Sequence, residues 1–167
     1  TAFDVRKNGE AVVEKLQQYP QVKDVTACTS PITKTWSRWG RVYNGKDYML
    51  NVWSVRWNLP EFFGIGVVEG EGFTEQSHSR GDMLITKKLH AEVGIPLGHV
   101  ENNYTAVGVI KDVKLAPAND GISYIALYCG SHGWGTYYIR LRPGADIAAF
   151  SKYVKELVQE FAPGADE

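Results

Sequence analysis

Residues Asn58 to Thr74 read NLPEFFGIGVVEGEGFT, and this stretch divides the chain. Asn58-Leu59-Pro60 can start a short helix, because Pro tolerates a first-turn position and Asn accepts from free backbone N–H groups. Phe62, Phe63 and Ile65 supply an apolar anchor. Gly64, Gly66, Gly70 and Gly72 then break the path, each open to backbone angles closed to other residues. The stretch contains no nucleophile and no metal-ligand set, so it reads as a packing knot and not as a reaction centre. Everything before it looks like one half of a domain, and everything after Val113 like the other half.

The flanks support that division. Ala2, Val5, Gly9, Val12, Leu16 and Tyr19 recur at helical spacing, and Pro20 ends the run. Val22 to Thr29 is expected as a strand. Tyr48 to Trp57 is the strongest strand, with apolar residues on both faces. Asn44-Gly45 before it is a turn signal. In the closing half, Ile122 to Cys129 and Thr136 to Arg142 are expected as strands, the second with the alternation of a half-buried one. Asp146 is a plausible N-cap, and Ile147, Phe150, Val154, Leu157, Val158 and Phe161 form the stripe of a last helix. Between the halves, Gly66–Glu69, Met83–Thr86 and Tyr104–Val113 are strands. Lys87–Val93 is a short helix stopped by Gly94.

Each terminal helix can bury its stripe only against a sheet built from the flanking strands. The expected fold is therefore α+β and two-lobed. Residues 1–57 and 114–167 make a discontinuous α/β sandwich lobe, and 58–113 a smaller, mainly β inserted lobe.

Composition narrows the function. The chain has 167 residues, 44% hydrophobic and 22% charged, with a net charge of −1. That balance is ordinary for a folded protein and gives no general attraction to nucleic acid or anionic lipid. No apolar run approaches the roughly 20 residues that span a bilayer. The chain opens at Thr1 without methionine and is expected to be a segment of a longer protein. Cys28 and Cys129 stand at predicted strand ends, where a disulfide and two buried thiols are both open.

Candidate sites are few. His78, His90, His99 and His132 make no metal-ligand spacing with one another or with Cys or carboxylates. His78 falls in a polar loop, and His90 on the exposed side of a short helix. Ser131 and His132 lie in a glycine-rich loop, but a strand follows it where a phosphate cradle needs a helix. The nucleophile-elbow pattern is also absent. Trp134 in that loop is expected at the surface, as a partner anchor or as loop packing. Trp36, Arg38, Trp39, Arg41 and Tyr43 form an aromatic–basic cluster of the kind that binds single-stranded nucleic acid. The net charge argues against that, and the favoured reading is an exposed loop that rests on the sheet or touches a partner or a membrane surface. Asp112 reads as a strand-end carboxylate that satisfies turn amides. No catalytic residue, cofactor site or metal site is assigned. Trp134, Trp36 and Trp39 are the candidate partner contacts.

Several segments then match a family in order. Trp57-Asn58-Leu59-Pro60-Glu61-Phe62-Phe63 and the turn Val68-Glu69-Gly70-Glu71-Gly72-Phe73 come first. The strand–helix–glycine unit Leu84 to Gly94 and the turn Pro96-Leu97-Gly98 follow. Val107-Gly108-Val109-Ile110-Lys111-Asp112-Val113 and Tyr138-Ile139-Arg140-Leu141 complete the series. Together they resemble the extracytoplasmic domain of MacB/FtsX-type ABC-transporter permeases, the MacB-like periplasmic core domain. Glu71 and Gly72 depart from the family's usual arginine in the turn.

The resemblance implies a porter-like lobe plus a smaller second lobe, set between the first two transmembrane helices of a permease in the inner (cytoplasmic) membrane. The segment would be periplasmic or otherwise extracytoplasmic, with a further strand beyond Glu167. It implies a non-catalytic part that receives motion from a cytoplasmic ATPase. Its partners would be that ATPase, a second permease copy, and a periplasmic adaptor, a lipoprotein or a cell-wall hydrolase regulator, but no nucleic acid. Two other readings compete: a stand-alone ligand- or protein-binding module, and a small hydrolase using Ser131 and His132.

Overall fold

Strand pairing around Leu50 to Val55 sets the architecture. The computed structural model describes residues 9–29, 37–112, 124–130 and 134–161. In chain order the elements are helix α1 (Gly9–Gln17) and strands β1 (Val22–Cys28), β2 (Ser37–Tyr43) and β3 (Lys46–Val55). Helix α2 (Leu59–Phe62), β4 (Val67–Gly70), helix α3 (Ser77–Arg80) and β5 (Asp82–Thr86) follow. After a π-helical turn (Leu89–Val93) come β6 (Val100–Glu101), β7 (Tyr104–Ile110), β8 (Tyr124–Cys129), β9 (Thr136–Leu141) and helix α4 (Ile147–Phe161). The fold is α+β, with parallel and antiparallel pairings and few helices.

The chain divides into two compact units. One is Thr1–Ala27 with His132–Glu167, and the other is Cys28–Ser131. These limits differ from the expected ones at 57/58 and 113/114. The reason is hydrogen bonding. Strand β3 pairs in parallel with β8 from Leu50↔Tyr124 to Val55↔Cys129, and β8 pairs antiparallel with β5 through Leu84↔Leu127. Strands assigned from sequence to the flanking lobe are thereby stitched to the middle of the chain.

In the second unit the strand order is β4-β7-β5-β8-β3, with β2 on β3 and β6 on β7. Alternation along the strands sends Tyr48, Leu50 and Val52 into one apolar cluster with Met83, Ile85, Ala126 and Tyr128. Leu89, Val93 and Ile95, from the π-helical turn and just after it, cover that cluster. Trp53, Leu84, Leu127 and Leu59 are also buried. The expectation that β3 is covered on both faces over part of its length holds from Leu50 onward, while Met49 stays 46% exposed.

Within the first unit, α1, α4, β1 and β9 share one cluster that includes Val12, Val13, Leu16, Val25, Phe150 and Leu157. The Tyr153 hydroxyl donates to the Lys15 carbonyl at 2.6 Å, and Tyr19 packs on Phe150 and Tyr153. Asp146 caps α4, its Oδ1 accepting from Ala149 N–H at 3.1 Å. Ile147, placed on the buried stripe from sequence, is 69% exposed because it sits in the first turn, ahead of the packed segment. The expected helical residues Ala2 and Val5 lie outside the described residues.

The glycine stretch folds as a knot for two local reasons. After α2, Gly64 takes a left-handed φ of 68°, its N–H bonds the Glu61 carbonyl, and the Ile65 N–H bonds the Pro60 carbonyl. This is a Schellman closure, which satisfies the last carbonyls of a short helix. Asn58 contributes its carbonyl to Phe62 N–H and makes no side-chain cap, contrary to the sequence expectation. Further on, the backbone of Gly70 to Gly72 crosses directly over β7. Glu71 N–H donates to the Val107 carbonyl at 2.9 Å, and a Cβ on Gly108 would run into the Glu71 carbonyl oxygen.

Replacing Gly108 by Ala forces two backbones apart, and overpacking of this kind costs about 1–3 kcal/mol. Gly40→Ala is the control, since its Cβ would meet only Met49 Sδ at 4.0 Å. The urea midpoint is expected to fall clearly for Gly108→Ala and to stay near wild type for Gly40→Ala, with unchanged slope in both.

Candidate functional site

Three surfaces of the second unit carry the residues that could act. The first is a half-open cavity of about 400 Å³ under the glycine stretch, lined by Trp57, Pro60, Glu61, Ile65, Val67 and Phe73, among others, with buried Leu84 also in its wall. Phe63 and Val68, chain neighbours of the lining, are 37% and 47% exposed.

The second surface is the β2–β3 hairpin. Sequence placed Trp36 to Tyr43 on a loop, but Ser37–Tyr43 is a strand paired antiparallel with β3 from Ser37↔Val52 to Tyr43↔Lys46. The Asn44-Gly45 turn closes it with φ of 50° and 78°, the positive pair that a two-residue hairpin needs. Arg38, Gly40 and Arg41 break the apolar alternation, which hides the strand from a periodicity reading. Trp39 is 48% exposed and Val42 66% exposed, and the Arg41 guanidinium lies 5.4 Å from the Trp39 ring centre. Arg41 also pairs with Glu101, whose other oxygen meets His99 Nε2 at 2.9 Å. Trp36 lies outside the described residues.

The third feature is a histidine node. His78 sits on α3, not in a loop. Its Nε2 accepts the Trp57 N–H at 3.4 Å, and its Nδ1 donates to the Gly130 carbonyl at 2.9 Å. Cys129 Sγ lies 3.5 Å from the same Nδ1. A Cys beside a His invites a nucleophilic reading. The hydrogen bonds argue against it: the nitrogen facing sulfur carries the proton, and the other lone pair is occupied by a backbone amide. His78 is therefore a strut between α3, the segment at Trp57 and the end of β8, a role that sequence spacing could not signal.

The remaining candidates fall into place individually. Trp134 is 2% exposed and packs in the first unit's cluster, where a Cβ on Gly9 would come within 2.5 Å of its indole. The surface position expected for it is thus corrected: a strand neighbour with a helix glycine over its ring is core, not anchor. Asp112 Oδ1 accepts the Lys88 N–H at 2.8 Å, as a strand-end carboxylate does. His90 contacts the Ile95 carbonyl through Nδ1 at 2.6 Å and Glu69 through Nε2 at 3.4 Å, so it is half-buried and engaged. Ser131 and His132 lie outside the described residues. Among the described residues, no three His, Cys, Asp or Glu side chains are arranged to hold a metal ion, and no helix is long and apolar enough to cross a membrane.

Comparison with solved structures places this architecture. The periplasmic region of MacB from Actinobacillus actinomycetemcomitans superposes with a TM-score of 0.64 at 16% identity, over 90% of this chain and 72% of that one. The chain has the fold of these permease domains. The extracellular domain of the noncanonic ABC-type transporter YknZ from Gram-positive bacteria gives 0.66 at 15% identity, over 90% and 82%. A domain of a putative permease protein from Porphyromonas gingivalis gives 0.59 at 18%, over 90% and 76%. No protein-family model matches the sequence, and no relative is found among curated proteins.

The MacB-like fold also decides the cysteine question. Cys28 pairs with Val55 on one side, and Cys129 pairs with Val55 on the other. Two strand spacings separate them, roughly 9–10 Å, whereas a disulfide needs Cα atoms within about 7 Å. Neither thiol is in a disulfide, and both are fully buried. Ellman's reagent should find no reactive thiol in the native protein and two after denaturation, even without reductant. Recovery of an intramolecular disulfide from folded protein would contradict the register.

Tyr48 in β3 and Tyr137 in the first unit are both pushed up to about 12. Burial is the main cause, followed by the Glu101 carboxylate for Tyr48 and Glu10 for Tyr137, with Arg41 opposing the former. The folded state holds these protons more tightly than the unfolded chain. The stability they confer is complete below pH 10 and is lost as pH rises toward 12. Urea midpoints measured across that window should fall, and Tyr48→Phe with Tyr137→Phe should flatten the fall.

Proposed function

We propose that this chain is the extracytoplasmic domain of an ABC-transporter permease subunit and works by changing shape, with no bond made or broken on its own surface. The observation that carries the reading is the superposition over 90% of the chain on three such domains, two of them parts of MacB and of an ABC-type transporter. Division into two compact units supports it, because hinge or shear motion between packed bodies is a standard way to convert a distant event into movement. The histidine node supports it too, since the one thiol–imidazole pair described is committed to structural bonds.

On this reading a cytoplasmic ATPase drives the movement through the membrane part, and a second permease copy pairs with the first. The exposed hairpin, with Trp39 at its centre, meets an adaptor, a lipoprotein or a regulator of a cell-wall hydrolase. Aromatic residues of this exposure are preferred anchors at protein interfaces.

The test uses the parent permease with its ATPase in proteoliposomes. Asp47→Cys and Lys152→Cys, one exposed position in each unit, carry spin labels, while the native thiols stay buried. Trapping the ATPase with ATP and vanadate should shift the label-to-label distance. In intact cells both cysteines, left unlabelled, should react with a membrane-impermeant thiol reagent. An unchanged distance would remove the transmission role, and protection of both positions until lysis would remove the extracytoplasmic placement.

A further inference from the structure

The stretch from Asn58 to Thr74 is held near both ends by histidines whose hydrogen bonds ask for opposite charge states. Just before it, the Trp57 N–H donates to His78 Nε2 at 3.4 Å, and His78 Nδ1 lies 2.9 Å from the Gly130 carbonyl. A carbonyl only accepts, so Nδ1 carries the proton and Nε2 offers its lone pair. That pattern exists only in the neutral ring. A second proton would set an N–H of His78 against the N–H of Trp57. Towards the other end, His90 Nδ1 lies 2.6 Å from the Ile95 carbonyl, and its Nε2 lies 3.4 Å from Glu69 Oε2 in β4. Both of these oxygens accept, so the ring satisfies both only as an imidazolium. In the neutral ring a lone pair faces the carboxylate.

The surroundings leave these demands in place. Around His78 stand the Cys129 thiol at 3.5 Å, the Tyr104 phenol beside Gly130, and Arg56, whose guanidinium lies 5.2 Å from the Trp57 ring centre. Arg80 of α3 is paired with Asp82 at 3.0 Å. The Arg56 cation therefore works against a second proton on His78. Around His90, Glu92 of the same turn adds to Glu69. Lys88 just before the turn opposes them, as does Lys46 of β3, whose Nζ donates to the Glu92 carbonyl at 2.9 Å. Lys111 leans on Gly66 ahead of β4, and Asp112 is occupied by the Lys88 N–H. The Tyr124 phenol of β8, raised mainly by burial and then by Glu92, stays neutral. Of all these groups, Glu69 is the one placed at the ring nitrogen.

We propose that His78 and His90 form a pH-sensitive switch that exchanges the anchors of the glycine stretch. At neutral pH and above, His78 holds Trp57, and the contact of His90 with Glu69 is slack. As pH falls, His90 gains a proton and ties β4 to the π-helical turn, while His78 gains one and releases Trp57. Histidine is the side chain whose charge ordinarily changes between pH 5 and 8. The Trp57 tie is thus present at high pH and lost as pH falls, and the Glu69 tie is present at low pH and lost as pH rises. The device belongs to the second unit alone and does not rest on the permease reading. On that reading, it makes the anchoring of this stretch follow the pH outside the membrane.

The test is an NMR titration of the isotopically labelled chain between pH 5 and 8. Nitrogen spectra of the rings should show His78 as the Nδ1–H tautomer at pH 8. Amide hydrogen exchange, corrected for the intrinsic rate at each pH, reads the two ties. Protection of the Trp57 amide should fall about fivefold from pH 8 to pH 5, as one hydrogen bond to a backbone group is lost. Protection of the Glu71 amide, which bonds Val107 beside β4, should rise about two- to fivefold over the same range, the scale of an exposed ion pair. His78→Gln keeps a donor and an acceptor but cannot titrate, so it should abolish the change at Trp57 and spare that at Glu71. His90→Gln should do the converse. An Nε2–H tautomer of His78 at pH 8, read on the unmodified chain, overturns the proposal. So do protection independent of pH at either amide, changes of the same sign at both, and changes that survive the matching glutamine variant. None of these readouts needs the membrane part or ATP, so their failure leaves the permease reading standing.

Discussion

Parallel pairing of β3 with β8 is the constraint on which the second unit depends. A parallel pair cannot be closed by a tight turn, so the chain between the two strands must leave and return. The residues from Arg56 to Ser123 make that excursion. They return in place only because β5 docks antiparallel on the far edge of β8, carrying β7 and β4 with it. The cavity, the histidine strut and the glycine crossover all lie on this excursion. Their geometry is inherited from one register, Leu50 against Tyr124.

Legibility in the sequence followed the range of the interaction. Local devices were read well. The Asn44-Gly45 turn, the Gly94 stop with φ of 86° and the Asp146 cap are each settled within a few residues. The family resemblance carried the overall fold. What went unread needed partners that pattern does not name, whether next in the chain, as β3 is for β2, or far along it. Strand β2 looks like a loop until β3 is laid beside it, because its arginines and glycine face a neighbour that composition does not name. The limits of the compact units differ from the expected ones because β3 is joined to β8 through hydrogen bonds and not through pattern.

The candidate site repeats this lesson at the level of side chains. Trp134 looked like an anchor because it stands among glycines, and it is core because Gly9, far away in sequence, leaves room for its ring. His78 looked like a loop residue, and it holds three segments together through two backbone groups. Trp39 alone among the three tryptophans singled out from sequence is described and exposed. A tryptophan's large apolar area gives it two good fates, core or interface, and only packing decides between them.

The way the chain is shared between the units has a consequence for biosynthesis. The second unit is one unbroken run, Cys28 to Ser131, whereas the first is assembled from Thr1–Ala27 and His132–Glu167. A ribosome therefore delivers the whole of one unit before the other has half its parts. The apolar stripe of α1, with Val12, Val13 and Leu16, emerges early and must wait for Trp134, Phe150 and Leu157 before it can be covered. During that interval it is the part of the nascent polypeptide most in need of a chaperone.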